Sequence, residues 1–272
     1  MTSVYDITAA AENLWPLSGA DVWDRPGLIA GQTFANCERV LFSVDVTSDV
    51  LDEAVAGDFG MILSHHPFLL GSQHELAANS AKGSVLLKSI RNNIALYSAH
   101  TNADIVADGV SDVLAKALGL PEAKPLLTIE DTDVGHGRIA KLAETTTLVE
   151  FARSVARSLP ATAPGVRVAG NPGMAIQTVA LCAGSGGSFL DLAIDQGADV
   201  YVTSDLRHHS ASDAIERARA IGLDFALIDI SHWAAESLWL EVAAKQLAQA
   251  LPDVKFVVSD LRTDPWDFAV TQ

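Results

Sequence analysis

Residues 39–66 read RVLFSVDVTSDVLDEAVAGDFGMILSHH, and residues 178–205 read TVALCAGSGGSFLDLAIDQGADVYVTSD. Each stretch opens on an apolar run of strand type, passes through a Leu-Asp-x-Ala segment of helical type and returns to a second apolar run. At a constant offset of 139 residues, Leu51, Asp52 and Ala54 fall on Leu190, Asp191 and Ala193. Only four of the 28 positions are identical, so the pattern carries the repeat and identity does not. Each second run ends in a polar cluster, Ser64-His65-His66 in one copy and Thr203-Ser204-Asp205 in the other. A third run ends in His100-x-x-x-Asp104 and, 132 residues later, in His232-x-x-x-Glu236.

Strands alternating with helices predict a mainly parallel sheet covered on both faces, and open α/β sheets bind ligands beyond the C-terminal ends of their strands. The expected fold is α/β: two similar halves built of duplicated strand-helix-strand units in three layers, with a metal cleft between them. The halves are expected at 1–124 and 125–272. In the first, strands are read at 39–46, 61–64 and 94–98, and helices at 48–56, 79–90 (capped by Asn79 or Ser80) and 107–118, which Gly119 stops. In the second, 160–173 holds three prolines and three glycines and reads as loop with one short strand, 178–182 as strand and 233–247 as helix.

The composition sets the outer limits. Of 272 residues 49% are hydrophobic and 19% charged, enough for a sizeable core. The net charge of −16 makes non-specific nucleic-acid binding unfavourable. No apolar run is long enough to span a bilayer, and Asp6, Glu12, Asp21 and Asp24 interrupt any signal-peptide core, so a cytoplasmic setting is expected. Cys37 and Cys182 are too few for a disulfide framework or a thiolate zinc site. The five tryptophans read as core residues.

Six of the eight histidines (65, 66, 100, 208, 209 and 232) lie in the strand-end clusters. One such histidine alone is an ordinary surface or hydrogen-bonded residue. Clustering at one position of two repeats favours metal. His65 and His66 can serve one cleft only if the chain turns there, because neighbours in a straight strand face opposite ways. His232 and Glu236, four apart on a helix, share a face. Imidazoles with carboxylates and no thiolate suit zinc, iron, manganese, cobalt or nickel, and the donor count exceeds the needs of one ion, which favours a two-metal centre. Asp205 is placed to orient a ligand or a water. His208-His209 reads as one outer donor and one surface residue. Gly184–Ser188 reads either as an anion-binding loop or as a tight turn, and Gly135-His136-Gly137-Arg138 as a turn whose Arg138, like Arg207, could contact an anion. No G-x-S-x-G elbow is present.

Ser64-His65-His66-Pro67, Ala99-His100-Thr101-Asn102-x-Asp104, Thr203-Ser204-Asp205 with His209, and Ser231-His232-x-x-x-Glu236 resemble the motifs of the Nif-three-like dinuclear-metal family, whose bacterial members carry the name GTP cyclohydrolase I type 2. Trp23-Asp24-x-x-Gly27-Leu28, Val44-Asp45-Val46-Thr47, Gly135-x-Gly137-Arg138-Ile139 and Ala183-Gly184-Ser185-Gly186 extend the likeness over nearly the whole chain. Arg25-Pro26 and Ser204 depart from the family pattern. The resemblance implies two divalent metal ions held by His65, His66, Asp104, His232 and Glu236, with Asp104 and Glu236 bridging. It places His100, Asp205 and His209 beside the metals as proton carriers or orienting groups, and the subunits in a toroidal homohexamer. It also implies a metal-dependent hydrolase that opens the guanine imidazole ring of a nucleotide with loss of formate. Two other readings accompany it: a dinuclear phosphatase or phosphodiesterase, and a non-catalytic metal-binding scaffold.

Overall fold

A computed structural model describes residues 1–270. The chain groups into two compact units. Residues 1–103 and 239–263 form the first, and 104–238 with 264–270 the second.

The elements in chain order are α1 (Val4–Leu14), β1 (Gly27–Ala30), β2 (Arg39–Ser43), α2 (Ser48–Ala56), β3 (Met61–Ser64), α3 (Ala81–Arg91), β4 (Ala95–Ser98), α4 (Thr101–Asp104), α5 (Val110–Ala117), β5 (Leu127–Thr128), β6 (Gly135–His136), β7 (Arg138–Thr147), α6 (Leu148–Ser158), β8 (Arg167–Ala169), β9 (Ala175–Leu181), α7 (Leu190–Asp195), β10 (Val200–Ser204), α8 (His208–Ala220), β11 (Ala226–Ile230), α9 (His232–Ala250) and β12 (Lys255–Val258).

The first unit's sheet has the order β1-β4-β3-β2-β12, parallel except for the edge strand β1. Every residue of β3 and β4 is buried, so both faces of this sheet are covered. Leu41, Ile62 and Leu96 pack with Val50 and Leu51 of α2 and Val85 of α3 in one core cluster. Local chemistry sets the helix starts. Thr47 caps α2 by accepting from the Val50 N–H, and Ser80 caps α3 by accepting from that of Gly83.

The second unit's sheet has the order β7-β9-β10-β11-β8, with β9, β10 and β11 parallel and β7 and β8 antiparallel at the two edges. Its core gathers Ala180, Tyr201 and Leu227 with Leu190 and Ile194 of α7 and Ala214 and Ala218 of α8. The fold is thus a layered α/β architecture in two halves, and the repeat is visible in its register. Val40 pairs with Met61 in the first sheet and Val179 with Val200 in the second, the same pair moved by 139 residues. In the third strand Met61 faces Ala95 and Val200 faces Ala226, an offset of 131. The His-x-x-x-acid segments are offset by 132, so one extra residue separates strand from histidine in the second copy.

Several sequence expectations are adjusted. The strand read at 39–46 ends at Ser43, whose hydroxyl donates to the Asp45 carbonyl and turns the chain. The helix read at 107–118 begins only at Val110, after Gly109. Trp15 and Trp239 are core residues, stacked edge-on at 5.1 Å, whereas Trp23 and Trp266 are exposed. Among the described residues, no helix is long and apolar enough to cross a membrane.

Candidate metal centre

In the first unit, β3 delivers two consecutive imidazoles. The Ser64 hydroxyl donates to the His66 carbonyl at 2.7 Å, folding the chain back over His65. That bend brings both rings to one side, 5.1 Å apart. His100, two residues beyond β4, joins them at 5.2 and 5.5 Å. One nitrogen from each of the three rings lies within 4.8 Å of the others, a spacing that one cation can span.

Each ring is held through Nδ1. His65 donates to the Ala99 carbonyl at 2.9 Å; a carbonyl only accepts, so the proton is on Nδ1 and the lone pair on Nε2. His66 Nδ1 lies 2.7 Å from Asp45 Oδ1, and His100 Nδ1 2.9 Å from Asp24 Oδ2. Asp24 is itself buried and receives the Thr101 hydroxyl at 2.6 Å and the Arg25 N–H at 2.8 Å. Burial opposes its ionisation, yet the hydrogen bonds from His100 and Thr101 hold its carboxyl down at about 2. The buried Asn102 fixes the backbone beside it, accepting from the His100 N–H and donating to the Trp15 carbonyl.

In the second unit, Asp205 directly follows β10 and α9 begins at His232. His232 Nδ1 lies 2.6 Å from Asp205 Oδ2, and Nε2 lies 2.9 Å from Oε1 of the buried Glu236, one helical turn on. Burial works against charge on this ring, but the Glu236 carboxylate and the Asp205 hydrogen bond outweigh it and lift the imidazole to about 11. A ring so placed between two carboxylates marks a spot of negative potential suited to a cation. Asp104 ends α4 in the same unit. Burial, then Asp104, and further Glu236 push the Cys182 thiol up to about 12, so it stays neutral and offers no thiolate.

Gly184 completes this arrangement. Its φ is +72°, and a Cβ there would stand 2.5 Å from Glu236 Oε1 and 3.3 Å from His232 Nε2. The glycine leaves room against the two donors. Of the two readings of the 184–188 loop, the tight turn holds: the Gly186 N–H goes to the Thr203 hydroxyl, and the Gly184 and Gly186 carbonyls accept from Thr203 and Tyr201.

The remaining residues singled out in the sequence lie elsewhere. His208 and His209 open α8, exposed, with their rings edge-on at 5.3 Å. Arg138 is no anion contact. It is buried and ion-paired with Asp112, and its guanidinium donates to the carbonyls of Gly135, Gly137 and Val106. Sequence reasoning gave no role to Asp24, Asp45 or Asn102. The signal available was that Asp24 and Asp45 stand inside the quoted motifs while carrying no packing logic of their own.

The donor chemistry fits divalent metal. Imidazoles locked through Nδ1 by carboxylates or a carbonyl are the arrangement that fixes tautomer and orientation in metal-binding histidines. The family model for Duf34/NIF3 (NGG1p interacting factor 3) matches residues 2–265. The chain belongs to this family. A Streptomyces coelicolor protein named GTP cyclohydrolase 1 type 2 homolog is 40% identical to it, covering 98% of this chain and 94% of the relative. A Clostridium acetobutylicum protein of the same name is 31% identical, covering 97% and 98%. Among solved structures, a Bacillus cereus protein related to NIF3 superposes with a TM-score of 0.89 at 25% identity, covering 98% of this chain and 99% of the other.

Proposed function

We propose that the protein is a metal-dependent hydrolase with a dinuclear centre, acting on a nucleotide or related ring. His65, His66, Asp104, His232 and Glu236 are its metal ligands. The observation that carries this reading is the common Nδ1 anchoring of His65, His66, His100 and His232, each to an oxygen acceptor. Surface histidines have no need of four such anchors, whereas ligands do.

When bound, a pair of divalent cations of the zinc, iron, manganese, cobalt or nickel type supplies Lewis acidity and activates water. The chain's own groups do the rest. Asp104 and Glu236 would hold the cations together with His65, His66 and His232, and Asp205, 2.6 Å from His232 Nδ1, would fix the ring with Nε2 available to them. His100, steadied by Asp24, carries a proton toward the leaving nitrogen. Arg138, committed to its own turn, is unavailable to a triphosphate, which leaves Arg207 as the basic residue read for that task. A toroidal homohexamer and a cytoplasmic setting belong to the same reading.

Elemental analysis of protein purified without added metal tests the centre: about two ions per chain are expected of a two-metal site, and fewer than one in folded protein refutes it. Assays against GTP and against generic phosphoesters then separate ring opening from phosphoester hydrolysis. Turnover of neither, with metal retained and Asp104→Ala altering only partner binding, would make the protein a scaffold.

A further inference from the structure

Residues 263 and 264 return to both donor sets. Thr263, in the first unit, donates its hydroxyl to Asp45 Oδ2 at 2.5 Å, while the other oxygen of Asp45 holds His66 Nδ1 at 2.7 Å. Asp264, in the second unit, accepts from the Ser231 hydroxyl, and that hydroxyl in turn accepts from the Ala234 N–H in the first turn of α9. Asp264 is buried, and its second oxygen receives the Trp266 N–H at 2.9 Å. Two consecutive residues far from either cluster in sequence therefore reach the groups that set His66 on one side and the His232–Glu236 turn on the other.

We propose that Thr263 and Asp264 are positioning residues for the metal donors, Thr263 acting through Asp45 on His66 and Asp264 through Ser231 on the start of α9. A carboxylate that accepts from an imidazole at one oxygen can pivot about its own Cβ–Cγ bond. The Thr263 hydroxyl on the other oxygen removes that freedom and fixes the direction of the His66 ring. Ser231 plays the capping part at the start of α9, and Asp264 fixes its hydroxyl so that its lone pair faces the Ala234 N–H. His232 and Glu236 ride on that turn. This inference rests on the reading of His66, His232 and Glu236 as ligands.

The test is cobalt(II) titration of the full-length, chelator-stripped protein, followed by the visible absorption of the bound ion, with thermal unfolding in chelator as the fold control. Thr263→Val and Asp264→Asn are each expected to weaken cobalt binding about tenfold or more, the usual cost of losing an outer partner of a ligand, and to shift or broaden the absorption band. Thr263→Ser, which keeps the hydroxyl, restores the wild-type band. Wild-type affinity and band in both Thr263→Val and Asp264→Asn, or failure of Thr263→Ser to recover, overturns the proposal. His66→Ala separates the two levels. If it loses cobalt while the other variants bind normally, only the positioning role fails. If it binds as wild type does, the ligand reading itself has failed.

Discussion

Replacing Gly184 by alanine adds one methyl group at the point where the second donor set is tightest. That methyl would lie 2.5 Å from Glu236 Oε1 and 3.3 Å from His232 Nε2. Glu236 is only 3% exposed, so its carboxylate has little space into which to retreat. The substitution also carries a backbone cost, because φ is +72° and an L side chain in that region costs about 1–2 kcal/mol. Gly197 separates the two effects. Its φ is +73°, and a Cβ there meets nothing within 4 Å. Gly184→Ala and Gly197→Ala should therefore both lower the melting temperature in chelator, by roughly 2–8 °C for a chain of this size. Only Gly184→Ala should weaken metal, by about 10- to 100-fold, as expected when a ligand is pushed from its place. Cobalt(II) titration against a competing chromophoric chelator measures both variants. Equal affinities in the two variants, whether both are retained or both lost, would refute the claim that Gly184 exists to make room for the donors.

Other predictions follow from individual contacts. Arg138→Met should cost about 3–5 kcal/mol in urea unfolding, because it strands the Asp112 carboxylate and several carbonyls, while nucleotide binding by the folded protein stays unchanged. Asn102→Ala should cost about 1–3 kcal/mol and accelerate hydrogen exchange at the His100 amide, whose acceptor it removes. Hydrogen bonds from the Thr147 hydroxyl and N–H lower the Glu150 carboxyl below its ordinary 4.5 in the capping box of α6. The stabilisation is therefore present above that value and lost as pH falls through the lowered one. Protection factors of the amides in the first turn of α6, taken against the intrinsic exchange rate at each pH, should fall on acidification from neutral pH toward 3, and Glu150→Gln should abolish that change in protection.

The sequence made the three parallel strands of each half legible because β2, β3 and β4, like β9, β10 and β11, are short apolar runs bounded by turns or caps. It hid the elements that lack this contrast. Strand β7 is ten residues long, but much of it is exposed and half polar, as suits an edge. Nothing local announces that 255–258 return to pair with β2 in parallel, because that pairing is decided some two hundred residues away. Polar residues were legible as a class but not as partners. The histidines stood out by clustering, whereas Asp24 lies 76 residues from His100 and Asp45 21 from His66, and only folding joins them. Arg138 misled for the same reason: a lone arginine beside glycines looks available until the carbonyls of its own turn are seen to occupy it.

The two copies share a backbone and have divided the chemistry between them. The 139-residue offset sets His66 on Asp205 and Asp45 on Gly184. In the first copy position 66, two residues past β3, holds an imidazole and position 45, two residues past β2, holds the carboxylate that orients it. In the second, the position after β10 holds a carboxylate, and it orients an imidazole from the start of α9. With Asp205 filling that role, a carboxylate at 184 is unnecessary, and Glu236 approaches so closely that even a methyl group there is excluded. The one-residue slip ahead of His232 is part of the same change, since it moves the third-strand histidine onto a helix where Glu236 can share its face. Inserting Asp at 184 to restore the symmetry of the repeat should therefore damage the second donor set, and replacing Asp45 by glycine should loosen the first. Metal affinity measured on Gly184→Asp and Asp45→Gly would show losses in both. Retention in either would mean that the duplicated positions are still interchangeable and that the division of labour inferred from their contacts is wrong.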